Sequence, residues 1–334
     1  MAKSELSRTP TEADPKSNGR TRRRLPVALR DDQPGASTAP APTFDARTAR
    51  RLMKRQSMMR RKFWQHPLAL TGILIIIFWI IVAVFAPLIA PYEPNAHIAA
   101  RYQTPSTEHW FGTDSLGRDI FSRIVYGSRV SLPYAVILVI VSSMLGSLLG
   151  AIAGYFGGWV DEVIMRITDM FFAVPTIILA LAVAAAFGPG LRNALFALVL
   201  VAWPAYARVV RSFVLSYRSA DYVSSSRLLG SSTARTLFVE ILPNLAGPVA
   251  VLAMLEMGNA VLLLSALSFL GLGAQPPAAE WGRMVADGAA VLHQWQVGTF
   301  AGFAILTVVL AFNLIGDTLR DVVDPRIAKQ MKAG

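Results

Sequence analysis

Two stretches of this chain, Leu68 to Ala90 and Ser131 to Ala153, contain no charged residue at all. A helix needs about 20 consecutive apolar residues to cross the hydrocarbon core of a bilayer, and both stretches meet that length. Over the whole chain 54% of residues are hydrophobic and 16% charged, too apolar for an ordinary soluble protein. Hydropathy places six spans, near 68–90, 131–153, 163–187, 193–210, 245–270 and 297–316. The expected fold class is therefore an all-α polytopic membrane protein with six transmembrane helices.

Charge sets the expected orientation. The formal net charge is +11, and sixteen Lys and Arg against six acidic residues lie before Pro67. In a soluble chain that excess would suggest nucleic acid, but no folded basic module accompanies it, and no nucleic-acid partner is expected. Positive charge beside a first span marks the cytoplasmic side. With six spans, both termini are then cytoplasmic. Segment 211–243 carries Arg211, Arg218, Arg227 and Arg235 against Asp221 and Glu240, which suits the same side. Segment 91–129 balances four Arg with four acids, which suits the outside. The localisation expected is the cytoplasmic membrane, and the lipid bilayer is itself a partner.

Five regions follow. Residues 1–43, rich in Pro, Ser, Thr, Ala and Arg, cannot bury enough apolar surface to offset the cost of ordering and are expected to be a disordered tail. In residues 44–66, Leu52, Gln56, Met59 and Phe63 recur at helical spacing among Arg and Lys. This is either a basic interfacial helix or a positive flank to the first span. Residues 67–129 hold the first span and an outer segment expected to turn helical from Ser115. Residues 130–319 form the core, and 320–334 a C-terminal tail. A second large outer segment, Gly271 to Gln296, contains a short amphipathic run from Trp281 to Leu292.

The polar stretch between spans four and five is a docking-element candidate. Asp221 can cap a helix beginning at Tyr222. Gly230 can end that helix in a left-handed turn. Ser231 or Ser232 can cap a second helix, which Pro243 stops before the next span. Two short helices at an angle can lie in a groove of a partner; the plainer alternative is a helical hairpin.

This loop resembles the one by which permeases of ATP-binding-cassette (ABC) importers engage their ATPases, whose pattern runs Glu-Ala-Ala, three residues, Gly, nine residues, Ile, one residue, Leu-Pro. Gly230 and Leu242-Pro243 match. Ser224, Ser225 and Ser226 replace Glu-Ala-Ala, so the acidic group is missing, and Glu240 stands in the Ile position with Ile241 after it. Further stretches resemble the C-type permease subunit of dipeptide and oligopeptide importers. These are His109 to Gly127, including Gly112, Thr113, Asp114, Gly117, Arg118 and Asp119; Ser265 to Pro277 with Trp281-Gly282; Arg166-Ile-Thr-Asp169; and Arg320 to Arg326. The likeness covers about residues 60–327. Leu264 stands where that family often has Glu.

The resemblance implies the type I importer permease fold. It also implies a homologous second permease paired as a heterodimer, two cytoplasmic ABC ATPases docked on the loop, and an extracytoplasmic solute-binding protein. The loop residues it marks are Asp221, Ser224, Ser225, Ser226, Gly230, Ser232, Arg235, Ile241, Leu242 and Pro243. ATP and Mg would be bound by the ATPases, and this subunit would be non-catalytic. Consistently, the chain has no Gly-x-x-x-x-Gly-Lys-Ser/Thr loop, no Ser-His-Asp or zinc arrangement, no cysteine, and four His outside the expected spans at no ligand spacing. The cargo implied is a di- or oligopeptide, with nickel chelate or another small solute as the alternative.

Other readings stay open at this point. Glu256 lies mid-span, where a charge costs roughly 2.5–3.5 kcal/mol on insertion scales. It either lines a pathway, meets a partner permease, or is protonated and hydrogen-bonded. Arg166 and Asp169, three apart, can pair on one helix face. Pro175 and Pro204 can kink their spans or be passive. Gly146 and Gly150 can admit close helix packing or face lipid. An ATP-independent transporter would need intramembrane charge relays, and Glu256 alone is a poor one. An integral membrane enzyme would need convergent catalytic groups, and none is convincing.

Overall fold

The computed structural model describes residues 66–323; the expected tail, the basic segment up to Gln65 and everything beyond Val323 lie outside the described residues. Regular structure among the described residues is helical, with one isolated bridge between Thr113 and Asp119 and irregular segments at 90–119 and 270–280. Helix α1 is Pro67–Val84, with Pro67 at the first position, where its missing N–H has no helical partner to lose. A single turn, α2, Ala86–Ile89, follows. Then come α3 (Ile120–Phe156), α4 (Gly158–Phe172), α5 (Thr176–Phe187) and α6 (Leu191–Arg218). The elbow consists of α7 (Asp221–Leu228), α8 (Thr233–Arg235) and a π-helical turn, Thr236–Ile241. Helices α9 (Leu242–Phe269), α10 (Trp281–Ala289) and α11 (Gln296–Val323) complete the chain.

Five helices are long and apolar enough to cross a membrane, and α4 with α5, apolar enough only as a pair, is bent by 95° at the break between them. The third span is thus not one straight helix over 163–187 as expected. Pro175 cannot donate to a continuing helix and disfavours helical backbone at Val174 before it, so the chain breaks there. The pair still joins the two ends of the bundle. Gly157, before α4, lies beside the Arg218 side chain at the end of α6, whereas the Gly190 N–H donates to the Leu272 carbonyl at the opposite end.

Helix α3 has 37 residues, about 55 Å at 1.5 Å per residue, longer than a bilayer core. It begins at Ile120 rather than Ser115 because Asp119 caps it, accepting from the Ser122 N–H at 2.8 Å. Its first turns bury Ser122, Arg123 and Ser128 in the polar end domain, and the rest crosses.

Helices α3 and α6 make the most extensive helix pair. Gly146, Gly150 and Gly154 form the contact. A Cβ at Gly146 would overlap the Trp203 carbonyl, one at Gly150 the Ala207 carbonyl, and one at Gly154 Val214. Close packing is therefore what Gly146 and Gly150 serve, and neither faces lipid. Half of the α6 membrane window is buried within this chain against 22% of that of α1, so α6 is central and α1 peripheral. Helix α1 leans on α11, with Gly72 set against Ala311 and Ile315. One large core fills the bundle towards the α10 end. A second, separate cluster lies under the elbow.

Candidate functional site

The elbow starts two residues after α6. Its first helix begins at Asp221 itself, one residue earlier than expected, and contains Ser224, Ser225 and Ser226. Gly230 is left-handed, with φ of +85°, as its position in the loop requires. Ser232 caps the second element, its Oγ accepting from the Arg235 N–H at 3.4 Å. That element does not stop at Pro243. The helix passes through the π turn into α9, with Pro243 in the first turn of α9. A proline ring clashes with the carbonyl four residues before it in an ordinary α-helix. The wider π turn provides room for that ring. Asn244 Nδ2 donates to the Glu240 carbonyl at 2.6 Å. The elbow's second arm is thus continuous with a membrane span.

What lies beneath the elbow decides its mechanics. Val223, Leu237 and Ile241 are buried with Ala151 and Tyr155 of α3, Val210 and Val214 of α6, and Leu245 of α9. Ile241 is an anchor, wholly buried. Facing away are Asp221, Gly230, Ser232, Arg235 and Pro243, all exposed. Among the exposed apolar side chains, Leu228 and Leu229 are each 89% exposed, and Phe238 and Val239 also stand out. A crest of apolar side chains on a helical tip, held by its own small core, has the character of a docking surface.

Glu240 was legible only as a departure from the family pattern. In the structure its carboxylate accepts a short hydrogen bond from Ser226 Oγ and a longer one, 3.4 Å, from Ser231 Oγ. It therefore ties the two arms of the elbow together.

The six end-domain residues are structural. Gly112 and Gly117 have positive φ, and a Cβ at either would overlap the carbonyl of Gln103 or Ala99. Thr113 Oγ1 donates to the Ala100 carbonyl at 2.7 Å and accepts from the Gln103 N–H at 2.8 Å. Asp114 accepts from the N–H groups of Leu116 and Arg118 and, at 2.6 Å, from Arg118 Nε. Asp119 holds His109 Nδ1 at 3.0 Å besides capping α3. Glu280, not singled out from the sequence, is completely buried. It accepts from the N–H groups of Gly282 and Arg283 and from Ser131 Oγ of α3. Burial pushes its carboxyl above the usual range, opposed by those hydrogen bonds. Beside it Trp281 donates to the Ile124 carbonyl at 3.0 Å and meets Trp79 edge-on.

The one expected ion pair resolves differently. Arg166 pairs with Glu162, one turn earlier, and not with Asp169. Asp169 takes Arg208 of α6 at 2.7 Å, whose guanidinium also covers the Phe172 ring. Asp161 takes Arg211 in a two-pronged pair. Asp161 and Asp169 stand about 12 Å apart along α4, while Arg208 and Arg211 are one turn apart, so α4 crosses α6 obliquely. Glu256 is half-buried in the seam of α3, α6 and α9, beside Ser142 and Tyr206, and accepts from Asn259 Nδ2 at 3.3 Å. Among the described residues, no group of three or more His, Asp or Glu could hold a metal ion.

Comparison with known proteins agrees with this geometry. Residues 146–329 match the model of the binding-protein-dependent transport system inner membrane component family. Residues 56–106 match the N-terminal TM domain of oligopeptide transport permease C. The dipeptide transport system permease protein DppC of Alkalihalophilus pseudofirmus is 46% identical over 266 residues, covering 79% of this chain and 87% of that protein. The probable D,D-dipeptide transport system permease protein DdpC of Escherichia coli is 43% identical, covering 78% and 88%. The glutathione transport system permease protein GsiD of Shigella boydii is 43% identical, covering 80% and 89%.

Proposed function

This chain belongs to the family of binding-protein-dependent transport system inner membrane components, the permeases of ABC importers, and on that premise we propose that it imports short peptides, driven through its elbow by separate ATPases. The relatives named for dipeptides and glutathione support the cargo class. A peptide-type permease pairs with a homologous second permease, so that each supplies half of the pathway. The observation that carries the coupling role is the buried cluster under the exposed crest. Any displacement of Ser232–Ile241 must pass into α3, α6 and α9, because Val223, Leu237 and Ile241 are packed against all three.

In this reading the elbow end is cytoplasmic, and both termini lie on that side. The chain divides as the sequence suggests, into a cytoplasmic tail (1–43), a basic interfacial segment (44–66), a first span with its outer segment (67–129), a core (130–319) and a C-terminal tail (320–334). The ATPases bind and hydrolyse ATP, and this subunit does no covalent chemistry. Their closure moves the elbow. Packed helices hold discrete arrangements rather than deforming continuously, so the spans turn from inward-open to outward-open. The energy of the switch is the ATPases' differential affinity for the two states. The α4–α6 ion pairs tie α4 to α6, which belongs to that cluster, so α4 is carried with it. Glu256 and Asn259 give this seam of the pathway polar character.

Gly230→Val tests the coupling role. A β-branched side chain at φ of +85° costs about 1–3 kcal/mol, and the elbow would lose its turn. Peptide uptake should fall several-fold while the protein remains inserted at normal level. Undiminished uptake would remove the elbow from the mechanism.

A further inference from the structure

At the end of the bundle opposite the elbow, the outer segment and the loop before α10 enclose a cavity of about 150 Å³. Three guanidinium groups line it, those of Arg118, Arg123 and Arg283. Arg118 and Arg123 are 4% and 2% exposed. Two carboxylates answer them. Asp114 bonds Arg118 Nε at 2.6 Å and stands 3.6 Å from Arg123 Nε, and Asp287 takes Arg283 Nε at 3.0 Å. Arg123 spends its terminal nitrogens on the Pro94 and Ala278 carbonyls and on Asn95 Oδ1, all neutral acceptors. The buried acids Asp119 and Glu280 are engaged elsewhere, with His109, backbone N–H groups and Ser131, so the three guanidinium groups at the cavity meet only two carboxylates and leave a local excess of positive charge. Buried charges are ordinarily paired. The cavity opens beside Leu116, which is 41% exposed, and the exposed Pro276.

We propose that this cavity is the receptor for one carboxylate side chain of the extracytoplasmic binding protein, which enters past Leu116 and completes the charge balance. The proposal rests on the importer reading and on the elbow end being cytoplasmic. Charge complementarity selects an acid. The cavity volume selects a side chain over a whole peptide, since 150 Å³ is about the size of one amino-acid residue. Arginine forks bind carboxylates with two parallel hydrogen bonds. Arg283, the more exposed of the three, is the one free to reorient from Asp287 towards the incoming acid. The docking energy would then bear on α10, which Glu280 and Trp281 fasten to α3.

The test uses the complete importer in lipid nanodiscs and its own purified binding protein, with affinity read at low and high salt. Arg283→Gln should weaken binding about tenfold and flatten its salt dependence. Asp287→Asn, which adds to the uncompensated positive charge, should tighten it. Leu116→Glu, an exposed change that leaves the core intact, would place a carboxylate at the mouth and weaken binding like Arg283→Gln. Unchanged affinity in both Arg283→Gln and Leu116→Glu would overturn the proposal. So would direct binding of free Ala-Ala dipeptide that depends on Arg283, because the acid would then be the cargo's. ATP-driven uptake that needs the binding protein, measured on the same nanodiscs, keeps the importer reading separate: it survives if only the cavity assignment fails.

Discussion

Glu280 shows how far a single residue can act. It has no exposed surface, yet it ends the loop before α10, caps that helix and reaches Ser131 on α3. Its folded carboxyl titrates above the ordinary value because burial outweighs the hydrogen bonds it accepts. Between the unfolded and folded values the native state therefore holds more protons than the unfolded state, and stability falls as pH rises through that interval. Glu280→Gln removes this slope. The melting temperature of the variant relative to the parent should accordingly rise as pH increases upward from the ordinary carboxylate range. A difference that is flat with pH would show that Glu280 is not the titrating group. The sequence displayed the Trp281-Gly282 motif beside it but gave no sign of Glu280, because burial of an acid outside the spans leaves no periodic trace. Gly112, Gly117, Asp114 and Asp119 were visible as a motif, and only the structure shows that they hold their own segment together.

At the scale of elements, the elbow was legible in outline and not in detail. Gly230 and the Ser232 cap stand where turn chemistry puts them. The continuity into α9 was not foreseen, because Pro243 reads as a stop unless the preceding turn widens. Hydropathy read 163–187 as one run, and of the two roles open to Pro175, kink or passive residue, the break between α4 and α5 is the first, at a size the sequence does not give. Asp169 chose Arg208 over Arg166 because the partner sits on a different helix, beyond what local spacing can reveal. The Ser226–Glu240 bond yields a measurement at this scale. Ser226→Ala strands a half-buried carboxylate and should destabilise the elbow by about 1–3 kcal/mol. Glu240→Ile together with Ser226→Ala restores an apolar pair and should recover most of the lost uptake. A double-mutant cycle reads the coupling, and strict additivity of the two changes would deny the brace.

For the whole molecule, much of each span's surface is left uncovered by this chain, with burial of the spanning windows between 22% and 50%. Some of that surface meets lipid, and in the proposed assembly some meets the second permease. The long apolar helices and their order could be read from uncharged runs. The two separate cores could not, since they depend on which helices pair. Those cores give the molecule its division of labour. The larger fixes the α10 end, where Trp281 and Trp79 join α10 to α1. The smaller makes the elbow one body with α3, α6 and α9. Coupling to an ATPase through that smaller body is the claim on which the mechanism stands. The chain contains no cysteine, so Arg235→Cys places a unique thiol on the exposed tip of the elbow. In membranes carrying the complete importer, a short bifunctional reagent should join this thiol to the ATPase subunit, in a yield that changes when ATP is added. A variant that still takes up peptide but never forms that adduct, with or without ATP, would contradict the account.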